Sequence, residues 1–361
     1  MNNSNIELYK NIISLVCFQN EIKKNKKNIH EIGKKDLNEL LKIAYKLKLS
    51  NIVYLKLKEV DLLKECNQSV VYKIENDYNT NVIINTNRIN ELHNLHDLFS
   101  NENVDYALLK EYAFDGTYDD IGSICQNDFD VLIKRKGLEI TQKILNKKGY
   151  VFYPSKYGKS EKELRYKKEN HTSIDLHLEL SPFDGDWCLS NLNYEELFLK
   201  SRTFNLGNKP IKILSHEDNI MNMIIHTAIH HNFVPFNKIV HCWNYITKKK
   251  GKVNWNTIKS KLITNSLSSL GWLATSYIEQ IIGDKLEILN YFDKPAFVNK
   301  ALFELLLPSS KFYWHEKTQI KLEKGSHFGI QLISLLDTYP QRLNFLANYI
   351  YNKYKACTTI N

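Results

Sequence analysis

The sequence predicts a mixed α/β (α+β) protein in which a small mixed sheet lies between two helical units. Three observations lead there. Apolar residues recur at helical spacing before about residue 100 and again after residue 214. Between these limits they occur instead in short runs and in one alternating segment. Polar or capping residues stand where the period changes, at Asn101–Asn103 and at Ser215. The expected organisation is therefore an N-terminal helical unit (1–100), a core (101–214) and a C-terminal helical unit (215–361).

In the first unit Asp36 is placed to N-cap a helix carrying Leu37, Leu40, Leu41 and Ala44 on one face. Ile89, Leu92, Leu95 and Phe99 form a later stripe, which ends at the turn-like Asn101, Glu102 and Asn103. The core then opens with two short apolar runs, Val104 to Leu109 and Phe129 to Ile133, predicted as strands. The polar segment between them contains Gly116 and Gly122 and is expected as a loop. Leu138, Ile140, Ile144 and Leu145 predict a short helix closed by Gly149. Tyr150 to Tyr153 and Leu164 to Lys167 follow as candidate strands. In Ser173 to Leu180 (SIDLHLEL) the apolar residues Ile174, Leu176, Leu178 and Leu180 alternate with Asp175, His177 and Glu179. The third unit starts with a capping box, Ser215 with Asp218, before IMNMIIHTAIHH. Leu262 to Ile282 and Phe328 to Tyr351 are further amphipathic stretches.

Composition narrows the class. The 361 residues carry 49 Lys and Arg against 40 Asp and Glu, a net charge of +9. That is short of a dedicated nucleic-acid binder. The basic clusters, Lys23–Lys27, Lys134–Lys136 and Lys248–Lys250, read first as solvated faces and second as a surface for a polyanion. No apolar run is long enough for a membrane span, and the Asn-rich start lacks the pattern of a secretory signal. The six cysteines show neither C-x-x-C nor zinc spacing and read as reduced thiols. A cytoplasmic protein with no membrane partner is expected.

The chemistry gathers at NDFDVLI. Asp128 and Asp130 lie two apart on a strand, so both point the same way with Cα atoms roughly 6.6 Å apart. Two carboxylates so placed can share a hard cation such as Mg²⁺, which accepts oxygen ligands and substrate phosphates together. Taken alone, the pair reads first as a solvated strand end and second as an ion site. Asp175 on a later strand would complete a three-carboxylate site able to hold two ions. His177 shares its face, with Glu179 as a weaker candidate. Lys110, directly after the strand YALL, could counter phosphate charge or simply be surface. His226 and His230 stand four apart, one face of an α-helix, with His231 beside them. Thr227 stands where H-E-x-x-H requires glutamate, which argues against a zinc hydrolase.

In this order, ALLK, NDFDVLI, SIDLHLEL and LSHEDNIMNMIIHTAIHH resemble an uncharacterised nucleotidyltransferase family, nucleotidyltransferase family 5, of the polymerase-β-type superfamily. The helical stretch DLNELLKIAYKLKLSNIVYLKL is similar too, so the likeness runs over about residues 30 to 280. The resemblance implies a metal- and nucleotide-binding core. Asp128, Asp130 and Asp175 would be its catalytic and metal-binding residues. Lys110, His177, His226 and His230 would lie around the nucleotide. Two positions depart from the pattern. Glu111 stands where the family has glycine after the lysine, and GSICQN lacks the arginine that usually precedes D-x-D. A glutamate there adds bulk and charge where backbone would approach phosphate.

The expected reaction is transfer of a nucleotidyl group from an NTP, with Mg²⁺ (or Mn²⁺ in its place), to a small molecule, a peptide or RNA, releasing pyrophosphate. Glycosyl transfer from a nucleotide-sugar on the same fold is one alternative. A non-catalytic peptide- or RNA-binding module is the other.

Overall fold

Leu37, Leu40, Leu41 and Ala44 all turn inward from one helix, α1 (Lys34–Lys46). In this computed structural model, residues 11–17, 34–118, 120–154, 162–180, 189, 191–231, 233 and 236–296 are described. Helix α1 begins two residues before Asp36, so that carboxylate stands in the first turn and not at the cap. There it still meets the positive end of the helix dipole. Helix α2 (Ser50–Glu59) packs on α1 through Ile52, Val53 and Leu57.

Helix α3 (Gln68–Asn101) has 34 residues, a length of about 50 Å. Asn67 caps it by accepting from the Ser69 N–H. Its three stretches do different work. Val71 and Ile74 join the helical core, Leu92, Leu95 and Phe99 pack beneath the sheet, and the middle is polar. The chain turns out of α3 through Asn103, whose φ of 53° is in the left-handed region that Asn tolerates.

Seven strands form one mixed sheet. They are β1 (Tyr106–Leu108), β2 (Asp128–Ile133), β3 (Val151–Phe152), β4 (Glu163–Lys167), β5 (Ser173–His177), β6 (Arg202–Leu206) and β7 (Lys209–Ile213). Their order is β3-β4-β5-β2-β1-β7-β6, with β2/β5 and β1/β7 parallel and the other pairs antiparallel. One face carries Phe129, Val131, Ile133, Ile174 and Leu176 onto α3 and onto α4 (Leu138–Lys147). Ala107 and Leu132 instead join the core shared with the C-terminal helices. β2 is thus buried from both sides. Gly149, at φ +84°, closes α4 as expected.

The hairpin β6–β7 was not foreseen. Leu206 pairs with Lys209, which leaves the two-residue loop Gly207–Asn208, with Gly207 at φ +65°. A Gly-Asn pair between short alternating runs is a hairpin signal. Charged residues and Pro210 diluted it here.

A short helix, α5 (Tyr194–Leu199), precedes this hairpin, and after it Ser215 caps α6 (His216–Ile225), accepting from the Asp218 N–H at 3.0 Å and donating to its carboxylate at 2.7 Å. Then come α7 (Phe236–Lys249), α8 (Trp255–Thr264) and α9 (Ser268–Ile282). The single stretch expected over Leu262 to Ile282 is interrupted at Asn265 and Ser266, where φ at Ser266 is 52°. Phe328 to Tyr351 lies outside the described residues. No described helix is long and apolar enough to cross a membrane.

The loop ahead of β2 is fastened to the middle of α3. Asn81 donates to the carbonyls of Gly122 and Ile124 (2.8 and 2.7 Å). Asn85 donates to those of Ile121 and Ile124 (2.8 and 2.9 Å). Tyr78 donates to Asp120 at 2.7 Å. Its ring leaves no room beside Gly122, where a Cβ would lie 2.3 Å from Tyr78 Cε2. Gly122→Ala is expected to displace that ring and destabilise the protein by about 1–3 kcal/mol in urea melts. An unchanged midpoint would show that the loop yields freely.

Candidate active site

Strand register assembles the site. Asp130 on β2 stands opposite Asp175 on the parallel strand β5, and Arg165 on β4 stands opposite Asp175. One row across the sheet therefore reads Arg165, Asp175, Asp130, with neighbouring strands about 4.8 Å apart. Asp128, two residues before Asp130, opens the strand and is partly exposed. Asp130 and Asp175 are buried, at 1% and 2% exposure.

Asp130 is saturated by donors. Lys110 forms an ion pair with its Oδ1. His177 Nε2 lies 2.9 Å from the same oxygen, and Gln126 Nε2 donates to Oδ2 at 2.6 Å. Burial opposes ionisation of Asp130, but Lys110 and His177 outweigh it and hold the carboxyl well below its usual range. Lys110 in turn is raised: burial disfavours its charge, and Asp130 and Asp128 more than restore it. His177 is raised as well, its burial overcome by the hydrogen bond to Asp130. Asp128 goes the other way. Burial and the negative charge of Asp130 push it up, and among the described residues it has no hydrogen bond or ion pair.

Lys110 is held at φ +59°. For a residue with a Cβ this conformation costs roughly 1–3 kcal/mol and tends to occur where function fixes the backbone. The turn is kept by Gln126, whose Oε1 accepts from the N–H of Glu111 (2.9 Å) and of Tyr112 (3.3 Å). Gln126 thus ties the turn after β1 to the carboxylate of Asp130.

Glu111 does not crowd this site. Its side chain turns away into the protein, where Lys238 of α7 donates to it at 3.0 Å and the Cys125 N–H at 2.9 Å. His241 Nε2 lies 3.6 Å away. Burial would raise the Glu111 carboxyl, yet Lys238 and His241 bring it down to about 2. The bulk and charge expected beside the phosphates are thus directed at α7. Arg88 of α3 reaches the segment where the sequence lacks an arginine. It donates to the Gln126 carbonyl at 2.7 Å.

The helix changes period at the histidine pair. Residues His226–His230 form a π-helical turn, closed by the His231 N–H on the His226 carbonyl at 3.1 Å. A π turn brings i and i+5 together. The His226 ring accordingly packs edge-on against His231, with centroids 4.5 Å apart. His226 lines a small pocket of about 20 Å³ with Lys110, Glu111, Lys238 and His241. The side chain of His230 lies outside the described residues.

Asp175 accepts a two-pronged grip from Arg165, Nε to Oδ1 at 2.6 Å and a terminal nitrogen to Oδ2 at 2.5 Å. Among the described residues, no three His, Cys, Asp or Glu side chains already converge as a metal cage. The donor chemistry nevertheless fits Mg²⁺ at Asp128 and Asp130, where Lys110 holds one oxygen as an exchangeable point charge. Beside Asp128, Asn127 and Ser173 open onto a cavity of about 470 Å³ that is also lined by Arg88, Lys167, Lys168 and His171.

A family model for uncharacterised nucleotidyltransferases matches residues 33–283. The chain belongs to that family. The matched span begins just before α1 and ends at Gly283, the glycine that caps α9. It coincides with the stretch over which the nucleotidyltransferase motifs were recognised. A solved structure of an antigenic nucleotidyltransferase-like protein from Paracoccidioides brasiliensis is 15% identical. The match covers 54% of this chain and 92% of that one, and its TM-score of 0.34 is too low to carry an argument. No curated relative matches the chain.

Of the nucleotidyltransferase residues expected from sequence, Lys110, Asp128, Asp130, Asp175 and His177 come together, and His226 lies in the pocket next to Lys110. Arg165, Gln126 and Lys238 were missed. Arg165 had a signal: in ELRYK the charged residues alternate with Leu164 and Tyr166, so Arg165 shares a face with Asp175 once β4 pairs with β5. Gln126 and Lys238 had none, because their partners are set by a loop and by a distant helix.

Proposed function

We propose that this chain is a Mg²⁺-dependent nucleotidyltransferase that moves a nucleotidyl group from an NTP to an acceptor and releases pyrophosphate. The observation that carries the proposal is the convergence of Asp128, Asp130 and Lys110 at the head of one buried strand, with Asp175 in register beside them. Asp128 and Asp130 would hold the ion, which when bound supplies Lewis acidity at the donor phosphates. Lys110, a single cation on a flexible stem, is placed to turn from Asp130 to a phosphate oxygen. Gln126 and His177 keep Asp130 oriented while Lys110 moves. The acceptor oxygen bonds to the α-phosphorus as the bond to the β-phosphate breaks. The cavity beside Asp128 is where the acceptor would sit, and its Arg88, Lys167 and Lys168 favour one that bears phosphate.

Thermal stabilisation by each NTP and by nucleotide-sugars, with and without Mg²⁺, tests this. A donor at a hundredfold excess over its Kd is expected to add about 2.7 kcal/mol. That gain should require Mg²⁺ and vanish in Asp128→Asn/Asp130→Asn. Response to nucleotide-sugars alone would replace nucleotidyl with glycosyl transfer. No response to any donor would leave a binding module.

A further inference from the structure

We propose that Arg165 takes the place of a second divalent ion, so that the site holds one ion, on Asp128 and Asp130. The inference rests on the ion-dependent reading above and specifies how many ions that reading needs.

A two-ion site puts its ions about 3.5–4 Å apart and needs open oxygens on each side. Here the third carboxylate is closed. Both oxygens of Asp175 accept from Arg165, at 2.6 and 2.5 Å, and the Asp175 side chain is only 4% exposed. Fork-on-fork pairing of this kind is the strongest ion pair available to a carboxylate. Nor is the arginine a loose surface group. It stands opposite Asp175 in the β4–β5 register, and Glu163, two residues earlier on the same strand, lies 3.7 Å from its terminal nitrogen.

The cation on Asp130 differs in kind. Lys110 is a point charge that meets one oxygen, Oδ1, from a flexible stem. It can give way to an ion. A guanidinium that engages both oxygens from a paired strand cannot do so without breaking two bonds, and it never loses its charge. The available ligand atoms are then those of Asp128 and, once Lys110 shifts, Oδ1 of Asp130, which keeps His177 on one lone pair and frees the other. That set suits one Mg²⁺ completed by phosphates and water. Arg165 has five N–H donors, of which Asp175 takes two, and its side chain is 38% exposed. Donors remain that a phosphate could take.

The test counts Mn²⁺ bound to the full-length protein by equilibrium dialysis, with a saturating non-hydrolysable NTP analogue. One ion per chain is expected for the wild type and two for Arg165→Met. Arg165→Met/Asp175→Asn should return to one, because the second ion needs the freed carboxylate. Arg165→Lys, which keeps the charge but releases one oxygen, serves if the methionine variant does not fold and should also bind two. Two ions in the wild type would overturn the inference and leave the ion-dependent reading standing. One ion in a folded Arg165 variant would overturn it too. No bound ion would remove both.

Discussion

Asp130→Asn is expected to lower nucleotidyl transfer by about 10³-fold or more, the equivalent of about 4 kcal/mol of lost electrostatic stabilisation. The measurement is incorporation of an α-labelled NTP, chosen from the stabilisation series, into product with a cell extract as acceptor source. The size of the effect follows from how much converges on this residue. Asp130 is a proposed ion ligand, and it also collects Lys110, His177 and Gln126. Asparagine keeps the volume but has one oxygen and no charge. The ion loses a ligand and Lys110 loses its anchor together. The sheet should survive, because Phe129, Val131 and Ile133 on the opposite face are untouched. Circular dichroism can verify that. A folded variant that keeps more than a tenth of the activity would remove Asp130 from the mechanism.

Glu111→Gln has the second large effect, on stability and not on chemistry. Lys238, partly exposed, sits against this buried carboxylate at 3.0 Å. Removing one member of such a pair strands the other, at a cost of about 3 kcal/mol. The pH dependence carries the signature. The Glu111 carboxyl is lowered from its ordinary 4.5 to about 2 in the folded protein. Its contribution is therefore complete above pH 4.5 and fades as the pH falls toward 2. The difference in unfolding free energy between wild type and variant should be constant near neutrality and shrink across that acid window. A difference that persisted at pH 2 would mean that the pair is not its source. The same variant tests why glycine is not needed at this position, since the side chain is engaged by Lys238 and His241 of α7 and by the Cys125 N–H.

Much of the site could be read from the sequence because strand periodicity is local. Asp128, Asp130 and Asp175 declared a shared face by alternating with Phe129, Val131, Ile174 and Leu176, and the parallel β2–β5 register confirmed it. What could not be read depends on contacts between distant segments. Nothing in NDFDVLI shows that Gln126 links the Lys110 turn to Asp130, or that Lys238, 127 positions further on, neutralises Glu111. The turn at the histidine pair was not legible for a local reason. Spacing of four assumes 3.6 residues per turn, and the π turn at His226 changes that count. The β6–β7 hairpin escaped because Lys209, Pro210 and Lys212 leave its second strand only two inward apolar residues, Ile211 and Ile213.

Helix α3 has one end in each hydrophobic core and its middle bonded to the loop that delivers Asp128. The obvious seam in the sequence, at residue 101, is therefore a poor place to divide the gene. A fragment beginning there would leave behind Leu92, Leu95 and Phe99, the floor on which Phe129 and Ile133 rest. It would also lose the asparagines that hold the loop. Inheritance should respect the same bond. Replacements at Asn81 or Asn85, which bond neither Asp128 nor Asp130, would be felt through the loop as altered catalysis, and a lineage that reshaped this loop would have to rewrite the helix with it.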